Sequence, residues 1–163
     1  MKRLIILATA LSFMLSCGEE TIIDSVPIEN CNFSQSIEEL NELIEKCNDN
    51  QFNSASEIED NLIGDWTLSG IKSEWFPFEP SSECLLLSIA AESFTLTNLD
   101  TGEKFNSTWN LINYEVNGNA VFYLEPTEDD LRWQVGMQFF SQNIMYGAGL
   151  ADDSDTYVYK KVN

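Results

Sequence analysis

Four cysteines and no histidine define the covalent chemistry open to this chain of 163 residues. Without imidazole there is no Ser-His-Asp or Cys-His nucleophile, no His-ligated zinc and no histidine-based pH switch. A catalytic thiol needs a neighbouring base, and none is supplied. The distinctive thiol is Cys17. It follows Ser16 directly, behind the apolar run 4–13 and the closing stretch Met14-Leu15-Ser16, with Lys2 and Arg3 in front. A positive start, a short apolar stretch and a small residue before the cut describe a signal peptide over residues 1–16. The run is shorter than the ~20 apolar residues that cross a bilayer. Cleavage there would make Cys17 the first residue of the mature chain.

Three thiols then remain, Cys31, Cys47 and Cys84, an odd number for an exported, oxidising setting. One disulfide and one free thiol are expected. Cys47–Cys84 would tie an N-terminal helix to the following domain, and Cys31–Cys84 would do the same. Cys31–Cys47 ranks lower, because the chain would have to fold back along its own helix at ~1.5 Å per residue.

Composition narrows the partners. The chain carries 8 basic and 27 acidic residues, and loss of Lys2 and Arg3 leaves six basic ones. Such a surface repels nucleic acid and anionic membrane, which need clustered Lys and Arg. Carboxylates attract divalent cations, but no Asp-x-Asp-x-Asp-Gly loop is present, so no metal site is assigned. Asp152, Asp153 and Asp155, like Glu128, Asp129 and Asp130, read as solvated turns. No carboxylate pair is singled out for acid–base work, and the chain is read as non-enzymatic, without a cofactor.

The elements that position these residues follow from periodicity. Residues 17–35 read as a flexible polar tether. Residues 36–61 read as a helical segment, opened by the capping box Ser36-Ile37-Glu38-Glu39. Ile37, Leu40, Leu43, Ile44 and Cys47 make one apolar stripe that must dock on something. Ser54 to Asn61 adds a helical turn or two. From Leu62 the period changes to two, with Leu62, Gly64, Trp66 and Leu68 on one face. Seven further strands follow, with Asn117-Gly118 as a type I′ turn between two of them. The fold class expected for residues 62–163 is all-β: an eight-stranded antiparallel up-and-down barrel, preceded by a short N-terminal helix.

Several motifs carry a family resemblance. Ser16-Cys17 resembles a bacterial lipobox, with Met14 where that pattern prefers Leu, and Gly18-Glu19-Glu20 resembles an acidic surface-export tether. Gly64-Asp65-Trp66 resembles the Gly-x-Trp opening of lipocalins and related calycin barrels. With Trp109-Asn110-Leu111 and Tyr157-Val158-Tyr159-Lys160-Lys161, the region Leu62–Val162 is similar to the short lipocalin-like lipoproteins of Bacteroidetes. The resemblance implies an outer-membrane lipoprotein of the cell envelope, held in the lipid bilayer by palmitate-type acyl chains on Cys17. It also implies a barrel base closed by Gly64 and Trp66, with Lys160 or Lys161, and Arg132 as an outsider, packed over the indole.

An eight-stranded barrel either fills with side chains or holds one small ligand. The bulky candidates for its interior are Trp66, Phe94, Phe105, Trp109, Phe122, Trp133 and Phe139. The loop Glu74-Trp75-Phe76-Pro77-Phe78-Glu79-Pro80 stands where lipocalins carry a lid. Trp75, Phe76 and Phe78, with Trp109 and Trp133, are therefore the candidate contacts for a small hydrophobic ligand at the barrel mouth. The alternative for the loop is that it folds back against the Ile37–Cys47 helix. The alternative for the domain is a filled barrel acting as an accessory module for another envelope protein.

Overall fold

The structure is a computed structural model that describes residues 31, 33–73, 77–80, 83–127, 136–148 and 155–162. The stretch read as a signal peptide, Cys17, most of the stretch read as a tether, Trp75, Phe76 and Trp133 lie outside the described residues, as do Asp152, Asp153, Glu128, Asp129 and Asp130.

The helical segment resolves into two helices, α1 (Ile37–Asp49) and α2 (Ala55–Leu62). Both begin at a serine cap. Ser36 Oγ accepts the Glu39 N–H, and Ser54 Oγ accepts the Glu57 N–H, satisfying donors that have no partner within the helix. The glutamates reach back one residue further than the simplest capping box, to the N–H groups of Gln35 and Asn53.

Eight strands follow: β1 (Gly64–Lys72), β2 (Leu85–Ile89), β3 (Ser93–Asn98), β4 (Lys104–Val116), β5 (Asn119–Pro126), β6 (Phe139–Phe140), β7 (Ile144–Ala148) and β8 (Thr156–Lys161). Their order is β5-β4-β3-β2-β1-β8-β7-β6, every pair antiparallel. The β1–β8 pairing joins the beginning of the domain to its end. The two outermost strands approach each other at a single bridge, where the Leu124 N–H donates to the Met137 carbonyl at 2.8 Å. The expected eight-stranded antiparallel barrel is thus present and nearly closed. Asn117 and Gly118 both take positive φ, as the predicted turn requires.

Side-chain alternation separates an interior from an exterior. Trp66, Leu68, Leu87, Phe94, Leu96, Leu124, Met145 and Tyr159 belong to one buried interior cluster. A second cluster lies on the outer face, where Leu40 and Cys47 of α1 pack on Ile144, Tyr146 and Val158. The helix reaches the sheet because of a bulge in β1. The register with β8 slips between Leu68 and Gly70, which keeps Ile71 inside and turns Gly70 outward opposite Val158. A Cβ on Gly70 would lie 3.0 Å from Leu40 Cδ1, so the missing side chain is the space that Leu40 occupies.

Two expectations change here. Phe139 is not an interior residue. It stacks on Tyr146 on the outer face, with ring centroids 4.5 Å apart, while Met137 and Phe140 supply the interior side chains. One residue more than strict alternation allows lies between those two, so the face assignment reverses along the strand. The expectation of a flexible stretch running to residue 35 does not hold at its end, because Ser34 is buried and its N–H donates to the Ser69 carbonyl at 2.7 Å.

The disulfide is Cys31–Cys84, with Cα atoms 5.8 Å apart, and not Cys47–Cys84. Cys47 is the free, buried thiol. Its Sγ donates to the Ile144 carbonyl at 3.4 Å, beside the β6–β7 turn. Cys84 sits at the opposite end of the barrel, where its N–H donates to the Asp100 carboxylate of the β3–β4 loop. Helix α1 runs along the wall between those ends and holds the two thiols apart.

Candidate functional site

One end of the barrel is sealed. Gly64 opens β1 with φ 133°, a region that L side chains avoid, and a Cβ there would also lie 3.1 Å from Lys161 Cε. Two residues on, Trp66 points inward, and its indole Nε1 donates to the Leu62 carbonyl at 2.8 Å. Lys161 lies over the Trp66 ring, with Nζ 5.2 Å from the ring centre, and donates to the Asn61 carbonyl at 2.5 Å. Partial burial lowers the Lys161 pKa. Lys160 instead pairs opposite Thr67, so of the two lysines Lys161 covers the indole. Ile58 and Leu62 of α2 complete the plug, and the gap among Phe52, Ile58, Leu62, Trp66 and Phe140 is too small for a water molecule.

The other end is built differently. Phe105 stands opposite the interior residue Leu96, yet 46% of its surface remains exposed. Ile71 and Tyr157 face each other across β1 and β8 and are only partly buried against the core. Below them Tyr159 is fully buried, and its hydroxyl has no hydrogen-bond partner among the described residues. Burial raises the Tyr159 pKa, and the neighbouring Tyr157 raises it further, so the phenol stays neutral. A buried hydroxyl without a partner costs about 1–3 kcal/mol. This end therefore combines exposed aromatic surface with an unspent hydrogen-bonding group.

The candidate ligand contacts separate on this frame. Phe78 packs on the outer cluster beside Ile37, Leu43 and Ile44, so this residue folds back against the helix and is not a lid over the mouth. Trp109 is at the sealed end, not at the mouth. Its indole donates to the Ala90 carbonyl in the β2–β3 turn at 3.0 Å, and it lines an external cleft of about 550 Å³ with Glu59, Asp60, Ile63, Ala91, Asn110 and Leu111. The strand β4 explains the error. It pairs with β3 through Lys104–Thr108 and with β5 from Trp109 onward, so Phe105 and Trp109 serve opposite ends despite sharing a face. Trp75, Phe76 and Trp133 lie outside the described residues.

Tyr157, Tyr159 and Ile71 were not anticipated as site residues. The alternation of Tyr157 and Tyr159 around Val158 was the available signal for the first two. No sequence feature marks Ile71, because the bulge that turns it inward is set by the pairing with β8.

Among the described residues no three metal-ligating side chains gather, and no helix is long and apolar enough to cross a membrane. Compared with protein-family models, curated proteins and solved structures, the chain gives no match.

Proposed function

We propose that this is a lipid-anchored cell-envelope protein of lipocalin-like type that takes up a small apolar ligand through the open end of its barrel. The observation that supports the reading is the asymmetry between the two ends. One is plugged by α2, Trp66 and Lys161, while the other presents Phe105, Ile71 and Tyr157 above the unpartnered Tyr159 hydroxyl. A small apolar molecule with one polar atom suits that arrangement, since a site of this kind is mostly apolar with few polar contacts. Anchoring rests on the Ser16-Cys17 motif, with Cys17 as the acylated residue and the outer membrane as its location.

Native mass spectrometry of the full chain extracted in mild detergent tests the reading. A bound lipid-like molecule of defined mass, lost in Phe105→Arg, is the expected result. Repeated detection of the bare chain alone would overturn it.

A second reading is an accessory module with a filled barrel that contacts an envelope protein. It is favoured by the tight packing of the barrel interior, where Leu87, Leu124, Met137 and Met145 are fully buried. Crosslinking from the Pro77–Pro80 segment on cells would then capture one reproducible partner.

A further inference from the structure

The cleft between α2 and β4 lies outside the barrel, at the end away from the proposed ligand mouth. Its floor is apolar. Ile63, the residue after α2, keeps 49% of its surface exposed, and Leu111 and Trp109 are only partly buried. Its rim carries Glu59 and Asp60 from the last turns of α2. Neither carboxylate has a hydrogen-bond or ion-pair partner among the described residues. At about 550 Å³ the cleft has the volume of a small-molecule site.

The chemistry of its walls selects an occupant. The Trp109 Nε1–H is already given to Ala90, so the indole offers a ring face and no donor. A ring face and two carboxylates both attract a cation, and the ring and aliphatic floor attract an apolar body. The same hydrogen bond fixes the indole before any ligand arrives, which reduces the ordering cost of binding. The whole chain, at a formal charge of −19, favours the approach of cations and repels anions. We infer that the α2–β4 cleft is a binding site for a small organic cation with an apolar body, its ammonium group held between Trp109 and the Glu59–Asp60 carboxylates.

The test is an NMR titration of the ¹⁵N-labelled full chain with phenethylammonium, 2-phenylethanol and 3-phenylpropionate at fixed ionic strength. The expected result is a saturable shift of the Trp109 indole N–H and the Ala91, Asn110 and Leu111 amides with the cation. The alcohol should bind at least about fivefold more weakly, and the carboxylate weaker still. E59Q/D60N should weaken the cation about fivefold. E42Q/E45Q removes the same charge from the exposed side of α1 and should leave it unchanged. Equal affinity for the alcohol, equal loss in the two double variants, or shifts confined to residues outside the cleft would each overturn the site. None of these outcomes bears on the barrel mouth, whose residues lie at the other end.

Discussion

Lys161 sits over the Trp66 indole, its Nζ 5.2 Å from the ring centre, while the same ammonium is hydrogen-bonded to the Asn61 carbonyl beyond it. The pair therefore clamps the last strand, the first strand and the end of α2 together. Lys161→Met keeps the aliphatic packing and removes the charge, and is expected to cost about 1–2 kcal/mol. Trp66→Ala removes a fully buried indole and should cost about 3–5 kcal/mol. Urea denaturation of both singles and the double variant checks this. A double variant whose loss equals the sum of the singles would deny the coupling.

The Cys31–Cys84 bond closes a loop with a sequence separation of 53 that contains both helices and β1. A loop of that length restricts the unfolded chain by about 4 kcal/mol in the chain-entropy view. The Cys31→Ser/Cys84→Ser double variant is expected to lose up to that amount. Peptide mapping without reduction should recover the 31–84 linkage. Alkylation should reach Cys47 only once the protein unfolds.

Cys47 makes stability sensitive to alkali. Burial pushes its thiol from about 9 up to about 11, only partly offset by the hydrogen bond from Ser141. A raised pKa means that the folded state favours the protonated thiol. Its contribution is complete below pH 9 and is lost as pH climbs through 11. Tyr146, raised mainly by burial and steadied by its hydrogen bond to Asn48, lies in the same helix–sheet contact. The midpoint of thermal unfolding should therefore fall between pH 9 and 11, and Cys47→Ala should flatten that fall. An unchanged alkaline limb in the variant would refute the assignment.

Gly147 and Gly70 make a graded pair. A Cβ on Gly147 would overlap the Gly136 carbonyl oxygen and lie 2.8 Å from Met137 Cα, so backbone must move. A Cβ on Gly70 meets only the flexible Leu40 side chain. Gly147→Ala should cost about 3 kcal/mol or more and Gly70→Ala about 1 kcal/mol, with the second loosening α1 and leaving the barrel intact. Amide hydrogen exchange across α1, set beside the melting temperatures, distinguishes the two.

Tyr159→Phe separates folding from the proposed uptake. Deleting a hydroxyl that has no partner should leave the ligand-free chain as stable or slightly more so. If the mouth binds a ligand through that hydroxyl, the variant should also retain less of the copurifying molecule. A large loss of stability would mean that the hydroxyl is already satisfied.

The barrel was legible in the sequence because period-two alternation and the Asn117-Gly118 turn are local signals, and Trp66 announced its own end of it. What was not legible depends on register. The bulge at Ser69 decides that Gly70 faces out and Ile71 faces in, and the extra residue before Phe140 turns Phe139 outward. Trp109 was assigned to the mouth because its face was readable, but its height along the barrel was not. The cysteine pairing depended on the direction in which α1 crosses the wall, which three thiols in a row of sequence do not encode.

That direction has one more consequence. Cys31 is fastened beside Cys84 at the rim next to Phe105 and Tyr157, whereas a bond through Cys47 would have placed the fastening at the plugged end. Were Cys17 to carry lipid, the leash from bilayer to barrel would be counted from Cys31. The molecule would hang mouth-down, and its opening would sample the headgroup layer while the plug and the acidic cleft faced away into the aqueous phase.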